Sequence, residues 1–182
     1  MKVIHFPLKI NYVNSFLCFD EKSQEAFLVD CGAFEDQINN FIQDNNLNLK
    51  FLLITHSHYD HNEGINDFKK AFKVPIYSST KEYDKQVSQG DKIPFGSYKI
   101  KVFETTGHTP DSVSYYIENA VFVGDAIFSG AVGGTANRPQ FKEQINQVWN
   151  KILTLPEETV IYPGHGVPTL VGIERVYNPF FD

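Results

Sequence analysis

The sequence lacks the features that mark membrane, secreted and nucleic-acid-binding proteins. No apolar stretch approaches the roughly 18 residues of a membrane-spanning helix, and the segment 1–7 turns polar too soon for a signal peptide. Only two cysteines, Cys18 and Cys31, occur among 182 residues, which disfavours a disulfide framework and indicates a reducing, cytoplasmic location. There is no run of Lys or Arg, and the formal net charge of −6 argues against a nucleic-acid partner.

What the sequence does contain is the composition of an ordinary globular protein. Apolar residues make up 42% and charged residues 21% of the chain, and 16 Phe with 9 Tyr supply much of the expected core. The length suits one domain spanning residues 1–182. We expect Cys18 and Cys31 to be buried small hydrophobic residues rather than metal ligands.

Short apolar runs alternate with amphipathic segments in two similar halves of the chain. This order predicts an α/β fold in which two sheets pack face to face with helices outside, although a doubly wound sheet would give a similar pattern. The expected strands are 16–19, 26–29, 51–54, 74–77, 113–117, 120–123 and 159–162, with a hairpin at 92–104. The expected helices are 34–44, 62–72 and a longest one that contains residues 141–152.

Four residues with metal-binding side chains follow the predicted strand 51–54 within six positions. His56 and His58 are two residues apart, so in an extended backbone both imidazoles project to the same side and can reach one cation. The chain must then turn into the next helix, which directs Asp60 and His61 at a second point nearby. Burying three His and an Asp without a partner would cost several kcal/mol, so we interpret this loop as a metal site rather than a polar surface loop.

Three further residues of ligand type follow other predicted strands. His108 and His165 lie in glycine-containing loops, and Asp125 comes directly after the strand 120–123 and Gly124. Together with the first loop they bring five His and two Asp to one end of the sheets, enough for two cations that share a carboxylate. The remaining histidine, His5, lies outside every such loop and is expected on the surface or on an edge strand.

These motifs, in this order, resemble the glyoxalase II-like branch of the metallo-β-lactamase superfamily. The motifs that carry the resemblance are His56-x-His58-x-Asp60-His61, Gly107-His108-Thr109-Pro110, Gly124-Asp125 and Pro163-Gly164-His165-Gly166. The first motif alone indicates only the superfamily, whereas the set of four is specific to the branch. The resemblance extends over almost the whole chain, from Asn14 to Phe180.

The resemblance implies an αββα sandwich with two divalent metal ions at the open end of the sheets. Zinc is the expected metal, with iron or manganese as alternatives. By this comparison Asp30 is an acid that orients a ligand His, a role that second-layer carboxylates commonly have in metal sites. The implied ligands are His56, His58 and His108 for the first ion, Asp60, His61 and His165 for the second, and Asp125 as the bridge.

The sequence also departs from its relatives. Typical chains of the branch carry Gly-Arg-Thr-Asp or similar after the bridging Asp, whereas residues 133–136 here are Gly-Gly-Thr-Ala. Full-length glyoxalase II has a C-terminal helical domain with glutathione contacts, but this sequence ends 17 residues after His165. The bridging Asp125 is unlike true β-lactamases of the fold, and His58 stands where diiron oxygen reductases have Glu, so we expect neither of these activities.

The expected function is hydrolysis of a small acyl-thioester such as S-lactoylglutathione. Two cations lower the pKa of a bridging water toward about 7, which makes hydroxide available to attack the carbonyl carbon, and one cation stabilises the developing oxyanion. Asp60 is the candidate catalytic residue that orients the nucleophile besides binding metal. A persulfide dioxygenase with one iron, or a phosphoester or lactone hydrolase, remains an alternative, and the sequence leaves the oligomeric state open.

Overall fold

The first sheet comes from the N-terminal half of the chain, in a computed structural model that describes residues 1–181. Its strands, in their spatial order, are β1 (Lys2–Pro7), β2 (Asn14–Phe19), β3 (Glu25–Val29), β4 (Asn48–Leu53), β5 (Ile76–Ser78) and β6 (Lys85–Gln86). The pairs β1–β2 and β2–β3 are antiparallel, whereas β3–β4, β4–β5 and β5–β6 are parallel. The predicted hairpin of residues 16–29 is therefore present as β2 and β3.

The second sheet comes from the C-terminal half. Its strands are β7 (Lys92–Phe95), β8 (Tyr98–Glu104), β9 (Val113–Ile117), β10 (Ala120–Gly124), β11 (Val160–Pro163) and β12 (Thr169–Leu170). Their spatial order is β12-β11-β10-β9-β8-β7, and every neighbouring pair is antiparallel except β10–β11. The hairpin predicted at 92–104 is formed by β7 and β8.

Helices cover the outer face of each sheet. They are α1 (Asp36–Asp44), α2 (Tyr59–Asn62), α3 (Ile65–Phe72), α4 (Arg138–Lys151) and α5 (Val171–Tyr177). Ile38 of α1 and Phe68 of α3 share a buried cluster with outward-facing residues of the first sheet such as Leu28. Val148 of α4 packs in the same way with Val121 of the second sheet. The predicted αββα sandwich is confirmed, and the alternative of a single doubly wound sheet is wrong.

The longest helix among residues 1–181 is α4, with 14 residues. None of the helices in this part of the chain is both long enough and apolar enough to cross a membrane.

An aromatic layer joins the two sheets. Phe27 of β3 is fully buried, and its ring centroid lies 5.5 Å from that of Phe51 in the same sheet. Across the gap, the centroids of Phe95 and Phe122 in the second sheet lie 4.8 Å and 6.4 Å from that of Phe27. Edge-to-face contacts of this kind add to the free energy of burial, so this layer fixes the sheets relative to each other.

Expectations about single residues also hold. Cys18 and Cys31 are both free and fully buried. His5 lies on the edge strand β1, where its Nε2 is 2.6 Å from Oδ1 of Asn14. Its side chain is exposed and takes no part in the cluster of histidines described below.

One predicted helix is wrong in its extent. Residues 62–72 do not form one helix, because α2 ends at Asn62 and α3 begins at Ile65. The backbone N–H of Cys31 donates to the carbonyl of His61 at 2.8 Å, and the N–H of Gly64 donates to the carbonyl of Cys31 at 2.8 Å. These tertiary bonds divide the helix, and apolar periodicity carries no signal for them. The short elements β6 and β12, together with β1 and α5, were not predicted either.

We expect Phe27→Ala to lower the free energy of unfolding by about 3–5 kcal/mol, because it opens a cavity between the sheets. Urea denaturation of metal-free protein measures this change. Tyr177→Ala is the matched control, since that aromatic ring is 77% exposed and its loss should change stability by no more than about 0.5 kcal/mol. Equal effects of the two substitutions would contradict the assignment of Phe27 to the joint between the sheets.

Candidate metal centre

The carboxyl ends of β3, β4, β10 and β11 meet at one edge of the sandwich. The N–H of Asp30, after β3, donates to the carbonyl of Leu53 in β4 at 2.9 Å. The carbonyl of Thr55, after β4, accepts from Val113 of the second sheet at 2.8 Å. The N–H of Gly164, after β11, donates to the carbonyl of Gly124 at 2.8 Å. These bonds bring the loops with ligand-type residues together.

The first group consists of His56, His58, His108 and Asp125, whose ligand atoms all lie within 4.8 Å of one another. Nδ1 of His58 is 3.1 Å from Nε2 of His56 and 3.0 Å from Nε2 of His108. Nε2 of His108 is 3.4 Å from Oδ2 of Asp125. A tetrahedral ion with bonds of about 2.0 Å needs ligand atoms about 3.3 Å apart, so the group has the right size for one.

The outer ring nitrogens of two of these histidines have their own partners. Nδ1 of His56 lies 3.1 Å from Oγ1 of Thr55, whose hydroxyl donates to Asp30 at 2.8 Å and so accepts from the imidazole. Nδ1 of His108 donates to the carbonyl of Gly134 at 2.6 Å. The Nε2 atom of each of these two rings therefore points into the group. Lone pairs converging at this distance repel one another unless a cation or a proton lies between them.

The second group consists of Asp60, His61 and His165, and its ligand atoms also lie within 4.8 Å of one another. Nε2 of His165 is 3.5 Å from Oδ2 of Asp60. Asp125 faces this group too, because its Oδ1 is 3.4 Å from Nε2 of His61 and its Oδ2 is 3.7 Å from Nε2 of His165. The structure thus brings all seven predicted residues together, with Asp125 between the two groups.

Asp30 supports both groups from beneath. It is 3% exposed, and its Oδ2 accepts from Nδ1 of His61 at 2.7 Å. The same carboxylate accepts from the backbone N–H and the hydroxyl of Thr55, each at 2.8 Å. It therefore orients His61 directly and His56 through Thr55, which fixes both rings with Nε2 turned inward.

Burial and neighbouring charges both shift the pKa values of the buried groups. Burial lowers the pKa of His56 to about 2, with a further contribution from His61, so His56 is neutral and keeps its lone pair. Burial also lowers the pKa of His61, but Asp30 and Asp125 more than offset this and raise it to about 10. Burial raises the pKa of Asp125, whereas His61 and His56 bring it down to about 2. The two acids on either side of His61 stabilise positive charge at this point.

The hydrogen bonding of two atoms at the centre indicates whether metal ions fit there. His61 Nε2 and Asp125 Oδ1 are buried and have no hydrogen-bond partner among residues 1–181, and their separation of 3.4 Å is too long for a well-formed hydrogen bond. Unpaired buried polar atoms are costly, so such a pair calls for a ligand. Imidazole nitrogens and carboxylate oxygens are ligands that divalent metals such as zinc accept. The residues fit two ions of this kind.

The backbone of Gly164 lies close to two of these side chains, and the absence of a side chain on this residue leaves room for the centre. A Cβ atom at Gly164 would lie 2.2 Å from Oδ1 of Asp125 and 2.5 Å from Cε1 of His61. Any side chain here would occupy the space between these two residues, so the glycine before His165 is required by the centre itself.

Asn14 connects the His165 loop to the first sheet. Its backbone N–H donates to the carbonyl of Gly164 at 2.7 Å, and its side-chain amide donates to the carbonyls of Pro163 and Gly166 at 2.9 Å and 2.8 Å. His165 belongs to a loop of the second sheet but is held in place by β2.

Sequence reasoning missed three supporting residues: Thr55, Asn14 and the backbone carbonyl of Gly134. The position of Thr55 directly before the ligand His56 is a signal that could have been used, since a hydroxyl at this place can reach the neighbouring ring. The other two act through backbone carbonyls far away in the chain, and such contacts leave no local trace in a sequence.

The sequence profile described as "Metallo-beta-lactamase superfamily" matches residues 9–87 and 80–165. The chain belongs to the metallo-β-lactamase superfamily. Members of this superfamily are mostly metal-dependent hydrolases, and the two His/Asp groups of this member are suited to divalent metal ions.

Two curated relatives carry the same name with different lengths. A hydroxyacylglutathione hydrolase from Hahella chejuensis is 32% identical over 86% of this chain and 77% of its own. Hydroxyacylglutathione hydrolase GloC from Haemophilus influenzae is 26% identical and matches 100% of this chain and 99% of its own. This metallo-β-lactamase-fold chain is therefore similar to hydroxyacylglutathione hydrolases along its full length.

Solved structures of other named proteins are similar as well. BLEG-1 B3 metallo-β-lactamase superposes with a TM-score of 0.91 at 27% identity, covering 99% of both chains. ETHE1 from Myxococcus xanthus gives a TM-score of 0.88 at 27% identity, covering 98% of this chain and 84% of the other. The superfamily fold is thus shared by relatives with different names, and the fold alone does not select an activity.

We expect Asp30→Asn to weaken metal binding by about 10- to 100-fold, because the amide cannot accept from Thr55 and His61 at once without turning a donor toward one of them. Isothermal titration of metal-free protein with Zn²⁺ measures the affinity. Asp67→Asn is the control, since it removes the same charge from an exposed position on α3. Wild-type affinity in Asp30→Asn would show that the carboxylate does not orient the ligands.

Proposed function

We propose that the chain is a two-metal hydrolase that cleaves small acyl-thioesters. The observation that carries the proposal is the second ligand group, which lies directly beside the first and shares Asp125 with it. A chain that bound a single ion would not need a second group of buried ligand-type residues, one of which, His61, is oriented by the buried acid Asp30.

We assign His56, His58 and His108 to one ion, Asp60, His61 and His165 to the other, and Asp125 to both. Bound there, two divalent ions would supply a nucleophilic water of lowered pKa and would polarise the carbonyl of the substrate. The protein side chains hold the geometry. Thr55, Asp30 and the carbonyl of Gly134 keep the imidazoles from rotating, which reduces the reorganisation needed at the moment of reaction.

Asp60 is the proposed catalytic residue in addition to its role as a ligand. Its carboxylate is 8% exposed and accepts from the side-chain amide of Asn11 at 3.1 Å, so its orientation is fixed from the solvent side. An ordered carboxylate at this place can accept a hydrogen bond from the attacking water and hold it in line with the carbonyl. The exposed ring of Tyr59, whose hydroxyl accepts from the same amide of Asn11, flanks this side of the centre, over which a substrate would enter.

The thioester as substrate is supported by leaving-group chemistry and by the relatives. A thiolate leaves without a strong general acid, and the described centre offers ligands and hydrogen-bond acceptors rather than a free acid. The hydroxyacylglutathione hydrolases from Hahella chejuensis and Haemophilus influenzae align with this chain, and for GloC the alignment covers 99% of the relative's length.

The second candidate is a dioxygenase that uses one iron. It is favoured by the compactness of the first group, which is complete without any residue of the second. It is disfavoured by the support that Asp30 gives to His61, since that histidine would then have no metal to bind. The hydrolase therefore accounts for more of the buried polar residues.

We expect Asp125→Ala to reduce the metal content at both positions, because the carboxylate faces both groups and neutralises charge between two dications. His165→Ala should remove mainly the second ion. Elemental analysis of the purified variants measures the number of ions per chain, with His5→Ala as a control outside the centre. An equal loss from Asp125→Ala and His165→Ala would contradict the two-group assignment.

We expect protein loaded with two equivalents of metal to release free thiol from acyl-thioesters such as S-lactoylglutathione. Removal of the metal should lower the rate by about 100-fold or more, because polarisation by the ions is worth several kcal/mol. Thiol release is followed with a chromogenic thiol reagent across a panel of acyl groups and thiol carriers. Oxygen uptake with glutathione persulfide, in protein that carries one iron and cleaves no thioester, would establish the dioxygenase instead.

A further inference from the structure

The helix α4 passes directly beneath two of the loops that carry ligand residues. Gln144, in the middle of this helix, is fully buried although its side chain is polar. Gln is seldom buried completely, because its amide must find partners there. Apolar packing of α4 does not explain why a polar residue is buried at this position.

The amide group of Gln144 donates to the loop that follows β10. Its Nε2 lies 2.9 Å from the carbonyl oxygen of Ala126, 3.1 Å from that of Gly133 and 3.4 Å from that of Asp125. Ala126 and Gly133 are seven positions apart in this loop, so a single side chain holds two separate points of the loop at a fixed distance. The residue that supplies the shared carboxylate, Asp125, lies within the same set of contacts.

The main chain of Gln144 also touches the loop that carries His108. A Cβ atom at Gly107 would lie 2.4 Å from Cβ and 2.6 Å from Cα of Gln144, and the φ angle of Gly107 is +135°. The backbone before His108 is therefore in direct contact with the helix at this one residue. Neighbouring side chains strengthen the contact, since the hydroxyl of Thr106 donates to Glu143.

The two loops are further joined to each other by the bond from His108 to the carbonyl of Gly134. That carbonyl belongs to the residue after Gly133, which Gln144 holds. Residues 133–136 are Gly-Gly-Thr-Ala, so this stretch has no long side chain with which to anchor itself. The anchor comes instead from the helix below it.

We propose that Gln144 is a positioning residue of the metal centre, which sets the distance between Asp125 and His108 by holding both of their loops against α4. This inference rests on the proposed metal-binding function. Gln144 touches neither metal ligand atoms nor substrate, and it acts through Gly133, Gly134 and Gly107.

One feature distinguishes this role from ordinary packing. Oε1 of Gln144 is buried and has no hydrogen-bond partner among residues 1–181. An apolar side chain of the same volume would fill the space without leaving an unpaired acceptor. A residue that served only to pack the helix would be better replaced by Leu or Met, so the value of Gln144 lies in its two N–H donors.

The test is Gln144→Met, which keeps the volume and removes the donors. Metal-free wild-type and variant protein are titrated with Co²⁺, and affinity and the visible absorption bands are recorded together with the thermal midpoint of unfolding. We expect the Kd for Co²⁺ to rise by about 10- to 100-fold and the bands to shift, because the ligand geometry changes. Val148→Ala, one turn further along α4 and fully buried, is the control. It should lower the midpoint and leave the Kd and the bands unchanged.

Wild-type Kd and bands in Gln144→Met, with or without a lower midpoint, would overturn the inference and leave the metal centre standing. Failure of the wild type itself to bind Co²⁺ would instead overturn the proposed metal function. If Gln144→Met does not fold, Gln144→Glu replaces it, because the carboxylate has the same length and turns a lone pair toward the three carbonyls. A folded Gln144→Glu with wild-type affinity and bands would equally overturn the proposal.

Discussion

The centre depends on one buried carboxylate. Asp30 receives hydrogen bonds from the backbone and hydroxyl of Thr55 and from the ring of His61, and through Thr55 it also determines the orientation of His56. A single acid thus serves both ligand groups. It does so from a left-handed backbone conformation, with φ of 54°, that is uncommon for a residue with a side chain. A strained backbone conformation persists only where surrounding contacts hold it. Here the backbone N–H of Asp30 donates to the carbonyl of Leu53, and its side chain accepts from Thr55 and His61.

The layers of the sandwich explain how side chains from distant parts of the sequence reach one point. Aromatic residues between the sheets fix the position of one sheet against the other, and the ligand loops extend from strand ends at the same edge. The hydrogen bonds that hold the ligand-type residues differ between the two sheets. Asp30 and Thr55 fix the groups on the first sheet by hydrogen bonds between side chains. On the second sheet, the ring of His108 and the side chain of Gln144 in α4 instead donate to backbone carbonyls of the loop that follows β10.

Most of the fold, and the set of His and Asp residues that meet at the centre, could be predicted from the sequence. Alternating apolar residues indicate β8 and β9, and the four ligand-type side chains within residues 56–61 indicate a metal site. The resemblance to known relatives assigns Asp30 to an orienting role. The break before α3 and the part played by Gln144 could not be predicted, because both depend on hydrogen bonds to carbonyls more than ten positions away in the chain. Such bonds depend on the backbone path and not on the type of residue that accepts them.

The hydrogen bonds that Asn14 makes between the sheets have a consequence for local unfolding of the protein. Local unfolding normally follows units that are contiguous in the chain. The loop at His165 departs from this pattern, since its carbonyls are held by a residue of the first hairpin. Release of β1 and β2 from the rest of the sheet would remove these three bonds and leave the loop with its contact to Gly124. We therefore expect the mobility of His165 to rise whenever the strands β1 and β2 open, although more than 140 residues separate them in sequence.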